Sequence, residues 1–181
     1  WQKAGESTVI VAIVDLDHFR NINETLGQAV GDKVLISLAR NLEPALRPDD
    51  TLAHLGEDEF AVLRFATGNV RAQTEQLIAA IYGVLATPIS IETREFEMSA
   101  SIGYVLASQS AGETGDEVLR DATLALYKAT TTGRSQAQQF EPAMHQTAVK
   151  RFDLESDLRR AIAKGRELEL FYQPTIDIPN D

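Results

Sequence analysis

The chain has 181 residues, is 44% hydrophobic and carries a formal net charge of −10. That length suits one domain, or one domain plus part of another, and the apolar share is too high for a disordered chain. The acidic balance excludes nucleic acid and anionic membrane as bulk partners, while the lack of cysteine excludes disulfides and thiolate chemistry and fits the cytoplasm.

In chain order, Val9 to Asp15 (VIVAIVD) is a continuous apolar run closed by an acid, the pattern of a central strand buried on both faces. Gly31 and Asp32 then open a helix whose Val34, Leu35, Leu38, Leu42 and Leu46 share one face, and Pro48 stops it. Leu52 to Leu55 and Phe60 to Phe65 predict a hairpin around the acidic turn of Gly56, Glu57, Asp58 and Glu59. Leu77, Ile78, Ile81, Val84 and Leu85 mark a second amphipathic helix, ended before Pro88. Ile89 to Ile91, a polar turn and FEMSASIGY predict another hairpin, with Phe96, Met98, Ala100, Ile102 and Tyr104 on its buried face. Val118, Leu119, Ala122, Ala125, Leu126 and Ala129 define a third helix closed at Gly133, and Ala137 to Phe140 is a short strand. A charged helix from Met144 to Lys164 follows, and LELFYQP reads as one more strand.

Helices interleaved with antiparallel hairpins predict an α/β sandwich: a ferredoxin-like core with a mixed, mostly antiparallel sheet flanked by helices. Residues 1–141 are expected to form this domain. Residues 142–165 are expected to form a linker helix and the first helix of a second domain, of which 166–181 is the truncated first strand, because a lone helix and strand cannot form a domain. No apolar run has membrane-spanning length and no signal peptide is visible. The chain opens on Trp1 rather than Met, which predicts a piece of a longer protein.

Two acidic features lie at strand ends: Asp15 and Asp17 after the buried run, Asp58 and Glu59 at the hairpin tip. If the two strands are neighbours, the carboxylates converge and raise one another's pKa. A hard divalent cation such as Mg²⁺ relieves that conflict and keeps positions open for phosphate oxygens. The alternative is that Asp17 caps a helix and the tip acids are solvated turn residues. Asn23 and Asp32 flank a glycine-containing loop. An Asp can accept from guanine N1–H and N2 and an Asn can read a purine edge, although both residue types also cap helices.

The stretches VDLDHFRNINETLGQAVGD, RPDDTLAHLGEDEF, SASIGY and ALYKATTTGRS, in this order over roughly Ser7 to Phe140, resemble the GGDEF domain of diguanylate cyclases. The tail LESDLRRAIAKGRELELFYQP resembles the start of an EAL domain, the cyclic-di-GMP phosphodiesterase module. The resemblance implies a nucleotidyl-cyclase-like fold and the joining of two GTP molecules, one on each of two facing domains, into cyclic-di-GMP. It implies Mg²⁺ or Mn²⁺ held by Asp15, the Leu16 carbonyl and Asp58. Glu59 would assist metal binding and activation of the attacking hydroxyl. Asn23 and Asp32 would read guanine, Phe19 would lie beneath the nucleotide and Arg134 would contact phosphate. Arg47 and Asp50 match the family's RxxD product-inhibition site, where Arg can grip a guanine edge bidentately. Without that ligand the same pair reads as a helix-end Arg answering the helix dipole and a turn Asp.

The signature departs from the family at its second glycine, which is Glu57, so a negative charge stands where a triphosphate would lie. The family's phosphate-neutralising lysine is Thr130, and an aspartate of the same helix is Thr123. Arg20, Glu24, Gln28, His54 and Ser135 are milder replacements, and the family's leading DxLTGLxNR helix is absent from this sequence. These departures predict a degenerate GGDEF domain that binds GTP and Mg²⁺ and regulates an adjoining EAL phosphodiesterase. An active but slow diguanylate cyclase and a dimerisation module that leaves the acidic site empty are the alternatives. Expected partners are GTP, cyclic-di-GMP at the RxxD pair, the EAL domain and a second copy of the chain.

Overall fold

The computed structural model describes residues 8–108, 112–165, 169, 171 and 172. The chain divides into two compact units, Trp1–His145 and Gln146–Asp181. In the first, β1 (Thr8–Leu16), α1 (Phe19–Leu26) and α2 (Gln28–Leu42) are followed by a 3₁₀ turn at Glu43–Ala45 and the hairpin β2 (Thr51–Gly56) and β3 (Glu59–Ala66). Then come α3 (Val70–Leu85), β4 (Ile89–Ile91), β5 (Arg94–Phe96), β6 (Ala100–Ser108), α4 (Gly115–Thr131) and β7 (Ala137–Gln139); α5 (Pro142–Lys164) starts at the end of this unit and lies mostly in the second. The main sheet has the order β2-β3-β1-β6-β7; its pairs are antiparallel except β6 with β7. This is the expected mixed, mostly antiparallel sheet flanked by helices.

β1 occupies the middle of the sheet because both its faces are apolar. Ile10, Ala12, Val14 and Leu16 pack with Val34, Leu38 and Leu42 of α2 and Leu77, Ile81 and Leu85 of α3. Val11 and Ile13 point the other way and meet Ala122 and Leu126 of α4. Each such aliphatic side chain taken from water contributes about 1.5–3 kcal/mol. α4 lies unusually close to the strand it covers. A Cβ added to Gly103 on β6 would fall 2.0 Å from the Leu126 nitrogen and 2.4 Å from the Ala122 oxygen. Gly103 and the small face of Ala122, Ala125 and Ala129 are therefore one packing device. A capping box starts α4: Thr114 Oγ1 accepts from the Glu117 N–H, and the Glu117 carboxylate accepts from the Thr114 N–H at 2.9 Å.

Three expectations need correction. A helix not read from the sequence, α1, precedes α2, and α2 starts at Gln28 rather than at Gly31 and Asp32. Its start carries no side-chain cap, only Gly27 at φ 86°. The predicted hairpin from Ile89 onward is two structures. β4 and β5 form a separate two-stranded sheet, the chain leaves regular pairing at Glu97–Ser99, and β6 enters the main sheet. The alternation misled because Phe96, Met98, Ala100 and Ile102 do all face the same core.

The second unit is described chiefly through α5, which ends at Gly165 (φ 64°) and carries the i,i+4 pair Arg151–Glu155 at 2.8 Å. Of the strand expected in LELFYQP, Glu169, Phe171 and Tyr172 lack regular structure; the remainder lies outside the described residues. No helix among the described residues is long and apolar enough to cross a membrane.

Candidate functional site

The sequence left open whether the two acidic features meet, and the sheet order answers it: β1 and β3 are neighbours. Asp15 is the cross-strand partner of Glu59, and the Leu16 N–H donates to the Asp58 carbonyl at 3.2 Å, fastening the hairpin tip to the end of β1. The tip turns through Gly56 (φ 131°) and Glu57 (φ 48°), with a register shift between His54 and Gly56. Gly56 adopts its torsion freely, whereas the left-handed region costs a non-glycine residue about 1–2 kcal/mol. His54 Nε2 lies 3.2 Å from the Glu57 carbonyl oxygen, and its ring centroid is 5.0 Å from that of Phe60.

Crowding shows in the protonation of these groups. Burial first, then the charges of Asp58, Glu59 and Asp17, push the Asp15 carboxyl up to about 6, and the Arg134 guanidinium opposes them. Burial raises Asp58, with a contribution from Glu57, against the pull of its own backbone N–H. Burial and the charges of Asp58 and Glu59's other neighbour, Glu57, raise Glu59. Among the described residues no three His, Cys, Asp or Glu side chains gather into a metal cage. The donor set implied by the resemblance, two carboxylates and the Leu16 carbonyl, is smaller than a cage. It suits Mg²⁺, which takes one or two carboxylates and completes its shell with phosphate and water.

Beside the acids opens a cavity of about 630 Å³ lined by Phe19, Arg20, Asn23, Gln28, Asp32, Leu35, His54, Glu57 and Asp58. Its volume is in the range that encloses a nucleotide-sized ligand. Asn23 and Asp32 both line it, but from helices rather than from a loop: Asn23 lies on α1 and Asp32 on α2, joined through Gly27 alone. Gly31 makes room for the amide, since a Cβ there would fall 1.9 Å from Asn23 Oδ1. That oxygen is buried against Gly31 without a hydrogen-bond partner. Phe19 is 2% exposed and forms part of the cavity wall. Glu57 lines the same cavity.

The loop after α4 completes the surroundings. Asp17, read as a candidate helix cap, is buried instead. It accepts from Ser99 Oγ and Ser101 Oγ at 2.8 Å, and from the Ser135 N–H and Oγ at 3.1 Å. This carboxylate ties the end of β1 to β6 and to the Gly133–Ser135 turn, where Arg134 and Ser135 both have positive φ. Arg134 is thereby held where its charge acts on Asp15. Thr130 Oγ1 donates back to the Tyr127 carbonyl at 3.0 Å and Thr123 Oγ1 to the Leu119 carbonyl at 2.9 Å. Neither supplies a charge.

Arg47 and Asp50 lie at the entry to β2, where the Arg47 N–H donates to Asp50 Oδ2 at 2.9 Å. Asp50 is also paired with Arg64, a residue the sequence reading did not single out. Arg64 Nε donates to Oδ1 at 2.8 Å and Nη2 to Oδ2 at 2.5 Å. Burial would raise Asp50, but the bonds from Arg64 and the Arg47 N–H, with both guanidinium charges, hold it below the usual carboxylate range. The signal for Arg64 was present: it shares the inward face of β3 with Phe60, Val62 and Ala66, and a charge at such a position needs a buried partner.

Comparison with known proteins agrees with this fold. Residues 1–136 match the family model described as diguanylate cyclase, GGDEF domain. A bifunctional diguanylate cyclase/cyclic di-GMP phosphodiesterase, MucR of Pseudomonas aeruginosa, is 37% identical over 94% of this chain and 24% of its own length. The cyclic di-GMP phosphodiesterase NbdA of the same organism is 34% identical over 92% of this chain and 21% of its own. The chain therefore spans about a quarter or less of these relatives. Among solved structures, the GGDEF domain of YfiN from P. aeruginosa is 31% identical with a TM-score of 0.71, covering 78% of this chain and 82% of that one. An EAL/GGDEF domain protein from M. capsulatus is 32% identical with a TM-score of 0.66, covering 78% and 88%.

Proposed function

We propose a regulatory role for this chain, which belongs to the GGDEF domain family of diguanylate cyclases: it is a degenerate member that binds GTP with a divalent cation and controls an adjoining EAL phosphodiesterase. The observation that carries the reading is the cavity beside β1. It keeps Asn23 and Asp32 on its lining, while Glu57, on the same lining, brings a negative charge beside the space a triphosphate needs. Asp15, the Leu16 carbonyl and Asp58 would hold Mg²⁺ or Mn²⁺, which neutralises phosphate charge when bound. Arg134 would meet phosphate from the opposite loop. Binding survives where the base is read; turnover suffers where the phosphates lie.

At about 4 Å a unit charge is worth roughly 1 kcal/mol in water and about 4 kcal/mol at intermediate dielectric. Glu57 together with the missing lysine at Thr130 thus lowers turnover by some tens- to a thousand-fold. The relatives named phosphodiesterases align across α5, which supports residues 142–165 as the connection to an EAL domain. We place the domain in the cytoplasm, where GTP is available.

A slow but active diguanylate cyclase is the second reading, favoured by the retention of Asp15, Asp58 and Glu59 together at the end of the sheet. Calorimetric titration with GTP, with and without Mg²⁺, followed by an assay for cyclic-di-GMP, separates the two. Binding without product supports the regulatory role, and substantial product replaces it with the cyclase. Absence of binding at about 1 mM GTP leaves a dimerisation module.

A further inference from the structure

We propose, on the reading that GTP binds beside β1, that Asp17 and Ser135 are positioning residues for its triphosphate: together they aim Arg134 at the phosphates without touching the nucleotide. The loop after α4 is strained. Gly133, Arg134 and Ser135 adopt φ 145°, 58° and 47° in succession. A left-handed torsion costs a non-glycine residue about 1–2 kcal/mol, and two adjacent ones persist only where surrounding contacts hold them. α4 supplies part of that hold, since the Ala129 carbonyl accepts from the Arg134 N–H at 3.1 Å and from Gln136 Nε2 at 3.0 Å. The rest comes from Asp17, 118 positions from Ser135 in the chain. Its Oδ2 accepts two donors of Ser135, the N–H and the hydroxyl, each at 3.1 Å.

The anchor is itself fixed. Asp17 is buried, and its N–H donates to the Ser99 carbonyl at 2.9 Å. Its carboxylate also accepts from Ser99 Oγ and from Ser101 Oγ, the latter residue fully buried on β6. The guanidinium of Arg134, by contrast, has no hydrogen bond or ion pair of its own among the described residues. Where it lies is set by the backbone that carries it, and its charge acts on Asp15. Asp17 follows Leu16 directly and stands two residues from Asp15. The strand end that carries two of the implied metal ligands therefore also anchors the Arg134 loop, so cation and guanidinium share one frame. Fixing the turn in advance lowers the ordering cost of a phosphate contact. Ser135 suits the task because one small residue brings two donors to a single oxygen.

GTP is titrated calorimetrically, in Mg²⁺, into the 181-residue chain and its variants. Asp17→Ala removes the anchor. Ser135→Pro has no N–H and cannot hold φ 47°. Each is expected to weaken GTP about tenfold. Asp17→Asn keeps one carbonyl oxygen for Ser135 and is expected to stay within about threefold of the unmodified chain. With Arg134→Ala already present, the same substitutions are expected to cost less than about twofold, because the group they position is gone. A purely structural role would weaken GTP by the same factor in both backgrounds, and that result overturns the proposal. So does GTP affinity that is unchanged in folded Asp17→Ala and Ser135→Pro. Should Asp17→Ala not fold, Ser135→Pro, at an exposed position, and its combination with Arg134→Ala decide alone. GTP binding that Arg134→Ala leaves unchanged overturns the positioning role and spares the GTP site. No binding to the unmodified chain at about 1 mM GTP overturns both.

Discussion

Asp15 and Glu59 stand directly opposite each other on β1 and β3, two carboxylates at a position where like charges destabilise a sheet. The Asp15 carboxyl, raised from 3.8 to about 6, binds its proton more tightly folded than unfolded. Its contribution to stability is complete below pH 3.8 and is lost as pH rises towards 6 and beyond. Asp15→Asn removes that loss. The variant is expected to exceed the unmodified chain by about 1–2 kcal/mol at pH 7, after allowance for solvent screening, and by little at pH 4. Mn²⁺ or Mg²⁺ should raise the melting temperature of the unmodified chain more at pH 7 than at pH 5, with no such gain in Asp15→Asn. Thermal melts across this range measure it; a difference between the two chains that does not change with pH would refute the assignment.

Glu57 combines two effects that substitution can separate. Glu57→Gly removes both a left-handed torsion and a charge; Glu57→Gln removes only the charge. Both are expected to tighten GTP in Mg²⁺ by about five- to tenfold, and glycine should stabilise the fold by about 1 kcal/mol more than glutamine does. Adding Thr130→Lys to Glu57→Gly is expected to raise cyclic-di-GMP formation by tens-fold. Equal GTP affinity in all of these chains would mean that the tip charge is irrelevant to the nucleotide.

Gly31→Ala tests the guanine end. The new methyl would meet the Asn23 amide oxygen and push it from its place. GTP affinity is expected to fall about tenfold, as for Asn23→Ala, and the double variant to lose little more, because both act on one contact. Additive losses in the calorimeter would show that Gly31 acts on something other than Asn23.

The buried pair of Asp50 and Arg64 has a stability signature of its own. Asp50→Asn or Arg64→Gln should cost about 3–5 kcal/mol, since each strands the other group in the interior. Replacing both by apolar residues, Asp50→Leu with Arg64→Met, is expected to restore most of the loss. Denaturant melts of the three variants provide the measurement, and a double variant as unstable as the singles would contradict it.

Much of this architecture was legible because the residues concerned signal locally. The two-faced apolar run of β1 requires a central strand, and the acidic turn between apolar alternations requires a hairpin, so the meeting of Asp15 with Glu59 needed only the sheet order. What the sequence concealed depends on distant partners. Asp17 looks like a cap beside a helix start, yet its hydrogen bonds go to Ser99, Ser101 and Ser135, which lie 82, 84 and 118 positions away. α1 was missed because His18, the residue before its first turn, is left-handed and gives no side-chain cap. Arg64 was overlooked although it breaks an apolar face, because only the fold brings Asp50 to it.

Gly27 is the sole residue between the helix that carries Asn23 and the helix that carries Asp32. A joint of one residue has no slack. Any change in the angle between the two helices must pass through a single pair of backbone torsions, and it shows at once as a change in the Asn23–Asp32 span. The width of the cavity mouth and the pose of α2 are thus one mechanical coordinate. Lys33, the next residue after Asp32, reaches Glu92 in the β4–β5 turn at 2.6 Å, so that coordinate extends to the small hairpin.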